Sequence, residues 1–192
     1  NKILLIIISI ICLVPFNAYS KYKIILYGDS LMSGYGLERK YHLSTILKKS
    51  LKDIGLNYNV INASVAGDTT AGGLNRLNWT LSEESIKIFV LCLGANDMLR
   101  GIKLDETEKN LDNIINITLS KKIKIIFAGM LAPDSYGQEY KNDFDNIYVS
   151  LSKKYDLSYI PFLLEGVALN PDLNLDDGMH PNEKGVKIIS NS

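Results

Sequence analysis

Cysteine is scarce in this chain of 192 residues, which has only Cys12 and Cys92. Cys12 lies in an apolar run at the N-terminus, so the rest of the chain contains Cys92 alone and cannot form an internal disulfide. A fold stabilised by several disulfides is therefore excluded. Cys92 lies within the apolar run 89–93, and this setting predicts a buried small hydrophobic residue rather than a catalytic thiol.

The chain also lacks an excess of charge of either sign, because 21 Lys and Arg residues balance 21 Asp and Glu residues. A nucleic-acid-binding surface would need a basic excess or a basic stripe, so this class of partner is excluded. Internal repeats and low-complexity tracts are missing too. The length and the hydrophobic fraction of 46% suit one globular domain with a substantial core.

The first twenty residues differ from the rest of the sequence. Lys2 is followed by the apolar run 3–14, which is shorter than the roughly 20 residues that a membrane-spanning helix needs. Pro15 and then the small residues of 18–20 come after this run, as in a secretory signal peptide. We therefore expect a signal peptide over residues 1–20, one folded domain over 21–192, and a periplasmic or secreted protein without a stable membrane span after cleavage. An uncleaved N-terminal anchor is the alternative.

Short apolar runs alternate with helical patterns along the remaining chain. The runs are continuous, as expected for strands buried on both faces of a sheet, and they cover 23–28, 58–62, 86–93, 123–129 and 158–162. Apolar residues recur at helical spacing within 43–54, 111–119 and 140–151, and Asp105 with Glu108 indicates a helix start. This alternation predicts an α/β fold, a three-layer α/β/α sandwich with a flavodoxin-like central parallel sheet of about five strands.

Polar and glycine-rich segments follow four of the predicted strands. Ser30 follows the first, Gly67 lies in the segment after the second, Asn96 follows the third, and residues 130–133 follow the fourth. In open parallel sheets, functional groups gather at the carboxyl ends of the strands. The sequence therefore predicts a site at this edge of the sheet.

Ser30 is a candidate nucleophile that needs a neighbouring base, because a serine hydroxyl reacts weakly by itself. The chain contains two histidines, of which His42 is interpreted as a solvated residue at a helix start. His180 is the better candidate, since Asp177 precedes it by three residues in a loop and can orient its imidazole ring. The alternative for His180 is an ordinary turn histidine beside acidic residues.

An acyl-transfer site also needs hydrogen-bond donors for the oxyanion. The candidates are the backbone N–H groups of Ser30 and Gly67 and the side-chain amide of Asn96. Considered alone, Gly67 is explained equally well as a turn residue with positive φ as by a role in oxyanion binding. In the same way, Asn96 alone is explained equally well by an Asx-turn after a strand. The chain lacks the Gly-x-Ser-x-Gly nucleophile elbow, because Met32 stands two residues after Ser30.

Together, these segments resemble the GDSL lipases, also called SGNH hydrolases, and among them the bacterial periplasmic thioesterases and lysophospholipases. The resemblance extends over nearly the whole of residues 21–192. The matching segments are Gly28-Asp29-Ser30-Leu31-Met32-Ser33-Gly34-Tyr35-Gly36, Asn62-Ala63-Ser64, Gly67-Asp68-Thr69, Gly94-Ala95-Asn96-Asp97, Leu99-Arg100-Gly101 and Asp176-Asp177-Gly178-Met179-His180-Pro181-Asn182.

The resemblance implies the SGNH hydrolase fold and a division of roles at the site. Ser30 would be the nucleophile, His180 the general base and then acid, and Asp177 the residue that orients His180. The Ser30 and Gly67 N–H groups and the Asn96 amide would form the oxyanion hole.

The same resemblance implies the substrates and the setting of the site. No metal or organic cofactor is implied, the substrate would be a small-molecule or lipid acyl ester, and residues 99–104 would shape the acyl pocket. The final helix is expected to start near Pro181 and to be truncated at the end of the sequence.

Two rival functions remain open. A carbohydrate or aryl acetylesterase would use the same three residues with a smaller and more polar pocket. A non-catalytic, flavodoxin-like binding domain would explain a parallel sheet, but it would leave Ser30, Asn96, Asp177 and His180 without a common purpose.

Overall fold

A central parallel sheet organises the protein, whose computed structural model describes residues 22–191; the predicted signal peptide lies outside them. The strands are β1 (Lys23–Gly28), β2 (Asn59–Asn62), β3 (Ile86–Cys92), β4 (Lys124–Ala128) and β5 (Ser158–Ile160). Their order across the sheet is β2-β1-β3-β4-β5, and all neighbouring pairs are parallel. The predicted flavodoxin-like sheet of five strands is confirmed, with strand limits shifted by at most two residues.

Helices cover both faces of this sheet. They are α1 (Ser30–Ser33), α2 (Leu43–Asp53), α3 (Thr70–Thr80), α4 (Ala95–Leu99), α5 (Leu104–Ser120), α6 (Gln138–Lys154) and α7 (Glu183–Ile189). On one side α5 packs between α3 and α6, and α2 contacts α7. Between residues 22 and 191, no helix has both the length and the apolar character required to cross a bilayer.

The core follows the two central strands, whose side chains are apolar on both faces. Ile25, Tyr27, Phe89 and Leu91 are inaccessible to solvent, as expected for strands covered by helices from both sides. Cys92 ends β3 as a free, buried thiol, and its burial raises its pKa well above the ordinary value. The prediction that Cys92 is a buried small hydrophobic residue is confirmed.

Three details of the helices differ from the sequence prediction. Helix α5 begins at Leu104, with Lys103 as its N-cap residue. Asp105 therefore lies in the first turn, where its negative charge is favourable near the helix N-terminus, and it does not cap the helix. Helix α7 begins at Glu183, two residues later than the predicted start, because the Asn182 side chain caps it by accepting hydrogen bonds from the Lys184 and Gly185 N–H groups. Helix α3 was not predicted, since its glycines obscure the apolar spacing.

Gly28 ends β1 directly opposite Cys92 of β3. A Cβ at this position would lie 2.6 Å from the Cys92 carbonyl oxygen and 2.9 Å from the Met32 sulfur. Glycine therefore lets the two central strands approach each other where the chain turns from β1 towards Ser30.

Candidate active site

Ser30 is the first residue of α1 and follows β1 by only one residue. That intervening residue, Asp29, caps the short helix, because its carboxylate oxygen Oδ1 accepts a hydrogen bond from the Leu31 N–H at 3.0 Å. The polar segment after β1 thus begins with a capped helical turn. This turn places the Ser30 hydroxyl at the carboxyl edge of the sheet.

Asp177 and His180 lie on a turn that closes on its own backbone. An antiparallel bridge joins Asn174 to Pro181, and the Leu175 N–H donates to the His180 carbonyl at 2.7 Å. Within this turn, Oδ1 of Asp177 accepts hydrogen bonds from the Met179 and His180 N–H groups, both at 2.9 Å. The second carboxylate oxygen of Asp177 is left to face the imidazole ring.

The structure brings Ser30, His180 and Asp177 into one chain of hydrogen bonds. Nε2 of His180 lies 2.8 Å from the Ser30 hydroxyl oxygen, and Nδ1 lies 2.7 Å from Oδ2 of Asp177. The hydrogen bonds from the backbone and from the imidazole lower the pKa of Asp177 to about 2, so this residue is ionised at neutral pH. This is the geometry that a serine nucleophile, a base and an orienting carboxylate require.

The two other residues predicted to supply hydrogen bonds to the oxyanion, Gly67 and Asn96, reach the surroundings of Ser30 from different strands. Asn96 lies in α4 after β3, and Gly67 lies in the loop after β2 with φ of +79°, a value that favours glycine. Both residues line the same cavity as Ser30 and His180. All five residues predicted for the site are therefore brought together.

The sequence alone indicates no role for Asp29, although this residue lies inside the Gly-Asp-Ser-Leu motif. It is almost completely buried, and its Oδ2 accepts a hydrogen bond from the Asn96 side-chain amide at 3.2 Å. An amide nitrogen carries two hydrogens, so this bond orients Asn96 and leaves the second N–H for another acceptor. Burial raises the Asp29 pKa to about 6, against the lowering effect of the Leu31 and Asn96 hydrogen bonds.

Two more side chains hold the loops of the site and were also missed. The Arg100 guanidinium donates to the Gly67 carbonyl oxygen at 2.7 Å. The buried carboxylate of Asp97 accepts from the Thr70 N–H at 2.8 Å and thereby ties the start of α3 to α4. Both residues lie in segments that match the family, Gly94-Ala95-Asn96-Asp97 and Leu99-Arg100-Gly101, but the sequence does not indicate which groups their side chains contact.

His42 has no part in this arrangement. It stands at the start of α2, as predicted, but its ring is half-buried, with Nε2 3.1 Å from the Leu37 carbonyl oxygen. The prediction of a solvated side chain is wrong in this respect, because the turn at Gly34 packs against the ring. The ring of Tyr35, in contrast, lies 4.5 Å from that of His180 between centroids and covers one face of the imidazole.

A cavity of about 860 Å³ opens beside Ser30. Most of its wall is apolar, and the contributing side chains include Met98, Leu99, Met130, Leu131, Pro133, Phe162, Leu164 and Leu169. Of the segment 99–104, which the resemblance assigned to the pocket, Leu99 lines the cavity. The size and apolar lining suit a hydrocarbon chain next to a polar reaction centre.

Comparison with known proteins gives consistent matches. The model of the GDSL-like Lipase/Acylhydrolase family matches residues 26–188. Esterase TesA of Pseudomonas aeruginosa is 35% identical over 158 residues, which are 82% of this chain and 79% of the relative. Thioesterase 1/protease 1/lysophospholipase L1 of Escherichia coli (strain K12) is 32% identical over 178 residues, 93% of this chain and 84% of the relative.

Solved structures agree with this match. AlinE4, described as an SGNH-hydrolase family esterase, superimposes with a TM-score of 0.79 at 40% sequence identity. The superposition covers 88% of this chain and 91% of AlinE4.

Proposed function

Because the chain belongs to the GDSL-like lipase/acylhydrolase family, we propose that it is a serine hydrolase that cleaves carboxylic esters and thioesters through an acyl-enzyme. Ser30 is the proposed nucleophile, His180 the general base and acid, and Asp177 the residue that orients His180. The observation that carries this proposal is the continuous hydrogen-bonded chain from the Ser30 hydroxyl through His180 to Asp177.

In the first half of the reaction, Nε2 of His180 takes the proton of the Ser30 hydroxyl as its oxygen attacks the acyl carbonyl. Negative charge develops on the carbonyl oxygen of the tetrahedral intermediate. The N–H groups of Ser30 and Gly67 and the free N–H of the Asn96 amide are the proposed donors to this oxygen. His180 then gives its proton to the leaving alcohol or thiol, and the acyl group stays on Ser30.

In the second half, water replaces the alcohol or thiol. His180 removes a proton from this water, which attacks the acyl carbonyl, and then returns the proton to the Ser30 oxygen as the carboxylic acid leaves. The ionised Asp177 stabilises the imidazolium that forms in both halves, because its carboxylate accepts the hydrogen bond from Nδ1.

The cavity supports an acyl substrate with a sizeable hydrocarbon chain. Apolar side chains form most of its wall, and burying each methylene contributes about 0.8 kcal/mol to binding. We therefore propose aryl esters, acyl thioesters and lysophospholipids as substrates. A chain-length series from acetyl to palmitoyl esters tests this choice, and a maximum at acetyl would favour the rival acetylesterase.

Replacement of the nucleophile tests the proposed chemistry directly. We expect Ser30→Ala to abolish both hydrolysis of p-nitrophenyl esters and labelling by a fluorophosphonate, with an unchanged circular dichroism spectrum. Ser33→Ala is the matched control, since Ser33 lies on the same helical turn outside the hydrogen-bonded chain, and it should keep wild-type activity. Full hydrolysis by Ser30→Ala would disprove the role of Ser30, and a wild type that is not labelled would favour a non-catalytic binding domain.

We also propose that the protein is exported to the periplasm or the medium. The proposal rests on the basic residue, apolar run and small residues of positions 1–20, which are typical of a signal peptide. Mass spectrometry of the protein recovered from a cell fractionation tests it. The expected product begins at residue 21 and is found outside the cytoplasm.

A further inference from the structure

One wall of the cavity is the short segment 130–134 between β4 and α6. Leu131, Ala132 and Pro133 line the cavity from this segment, and Lys141 of the following helix also reaches the cavity wall. Backbone hydrogen bonds fix the chain just before the segment, where Gly129 pairs with Ile160 and Leu163. The position of the wall therefore depends on how the peptide groups around Ala132 are held.

Two side chains of α6 hold Ala132 at both of its backbone polar groups. Its N–H donates to Oδ1 of Asp145 at 2.8 Å, and its carbonyl oxygen accepts from Nζ of Lys141 at 2.7 Å. Lys141 and Asp145 are one helical turn apart and also pair with each other at 3.0 Å. The three residues thus form a closed ring of hydrogen bonds, which we call the Ala132 clamp.

The helix that carries the clamp is itself firmly anchored. Phe144 and Tyr148 on the same helix are fully buried, and the Tyr148 hydroxyl donates to the Leu93 carbonyl at 2.9 Å. The side chains of Lys141 and Asp145 are both 22% exposed, so the pair is partly shielded from solvent. Charge-assisted hydrogen bonds in such a setting are stronger and more directional than exposed ion pairs.

We propose that the Ala132 clamp determines which acyl chains the enzyme accepts, by fixing the wall formed by Leu131 and Pro133. Asp145 is a positioning residue here, because it acts on the acyl chain through the Ala132 backbone. Lys141 holds Ala132 in the same way and also lines the cavity. Loss of the clamp frees the wall and weakens contacts along the distal part of a long chain, while the reaction at Ser30 is preserved. This inference rests on the proposed esterase function and adds the residues that set its specificity.

The test compares acetyl, octanoyl and dodecanoyl p-nitrophenyl esters on wild type, Lys141→Met and Asp145→Asn. We expect kcat/KM for the dodecanoyl ester to fall about tenfold in each variant, mainly through KM, and the acetyl value to change less than about twofold. Lys141→Arg retains a cationic donor and should restore most of the dodecanoyl activity. The matched control is Lys154→Met, which removes another ion pair of α6, with Asp112, away from the cavity.

Each contrary result has a distinct meaning. Unchanged chain-length profiles in both variants would overturn the proposal, and so would equal losses for acetyl and dodecanoyl esters at unchanged thermal stability. A loss in Lys141→Met without one in Asp145→Asn would show that Lys141 acts on the substrate directly and would also overturn it. Failure of the proposed function is separate, because wild type would then hydrolyse none of the esters.

Discussion

Asp29 is the residue whose position carries the most information about the site. It is an acid next to the nucleophile, is buried, and accepts hydrogen bonds from Leu31 and Asn96. Full burial of a carboxylate costs stability unless hydrogen bonds compensate, and the raised pKa of about 6 indicates that they do so only partly. The protein thus keeps an unfavourable buried charge where it orients the amide of Asn96.

This charge should make the stability depend on pH. In the folded state the pKa of Asp29 is raised from 3.8 to about 6, so the folded protein binds this proton more tightly than the unfolded chain does. The stability that results is lost as pH rises between these two values. We expect the free energy of unfolding of wild type relative to Asp29→Asn to fall by about 2 kcal/mol between pH 4 and pH 7.5. Urea unfolding of both proteins at the two pH values measures this change. The contributions of all other titrating groups are the same in both proteins and cancel in the difference. A difference that does not change with pH would contradict the raised pKa of Asp29.

Asp177 has the opposite character, because it is ionised and held by three hydrogen bonds in an exposed turn. We expect Asp177→Asn to lower kcat by about 10³ to 10⁴, since the amide no longer stabilises the imidazolium or the correct tautomer of His180. Steady-state kinetics on a p-nitrophenyl ester measures this effect. The neighbouring Asp176→Asn is the control and should retain activity, and an equally active Asp177→Asn would disprove the orienting role.

At the scale of elements, Arg76 of α3 joins the ends of two strands. Its guanidinium donates to the Asp68 carboxylate at 2.6 Å and to the carbonyl oxygens of Ala63 and Gly28, and it lies 3.9 Å above the Tyr27 ring. Only a planar fork of five donors can make all these contacts at once. The loop that carries Gly67 is thus attached to β1 through one side chain.

Lysine cannot replace this fork. We expect Arg76→Lys to lower the free energy of unfolding by about 2 kcal/mol and the Tm by about 4–8 °C, because the Ala63 and Gly28 carbonyl groups each lose a charged donor. Thermal unfolding followed by circular dichroism measures the change. Arg39→Lys, on an exposed turn, is the control with the same chemical substitution, and equal Tm values for both variants would contradict the role of Arg76.

The elements and the site differ in how far sequence predicts them. Continuous apolar runs predicted the five strands, which are confirmed, because burial on both faces leaves a direct pattern in the chain. The family, also confirmed, was predicted from the resemblance of the motif segments around Ser30, Asn96 and His180. The predicted site residues share an edge because parallel strands end together, although their catalytic roles stay predictions. The Asp29–Asn96 bond and the Ala132 clamp were not foreseen, since such pairs depend on side-chain orientation across loops.

At the scale of the whole molecule, the strand order decides where the site forms. The chain leaves β1 towards β2 on one side and returns to β3 on the other, so a crevice opens outside the carboxyl ends of β1 and β3. Ser30 follows β1 and Asn96 follows β3, at this crevice. The turn with Asp177 and His180 and the segment 130–134 enclose the cavity around it.

Filling this cavity should stabilise the entire domain. A phosphonate attached to Ser30 stays attached when the chain unfolds, so the length of its alkyl group changes stability only through burial in the folded state. Each buried methylene contributes about 0.8 kcal/mol, and an octyl group should therefore raise the Tm by at least about 5 °C more than an ethyl group. Scanning fluorimetry of the two phosphonylated proteins measures this difference, with Ser30→Ala as the unlabelled control. Equal Tm values would mean that the acyl chain lies outside the cavity and would refute its assignment as the acyl pocket.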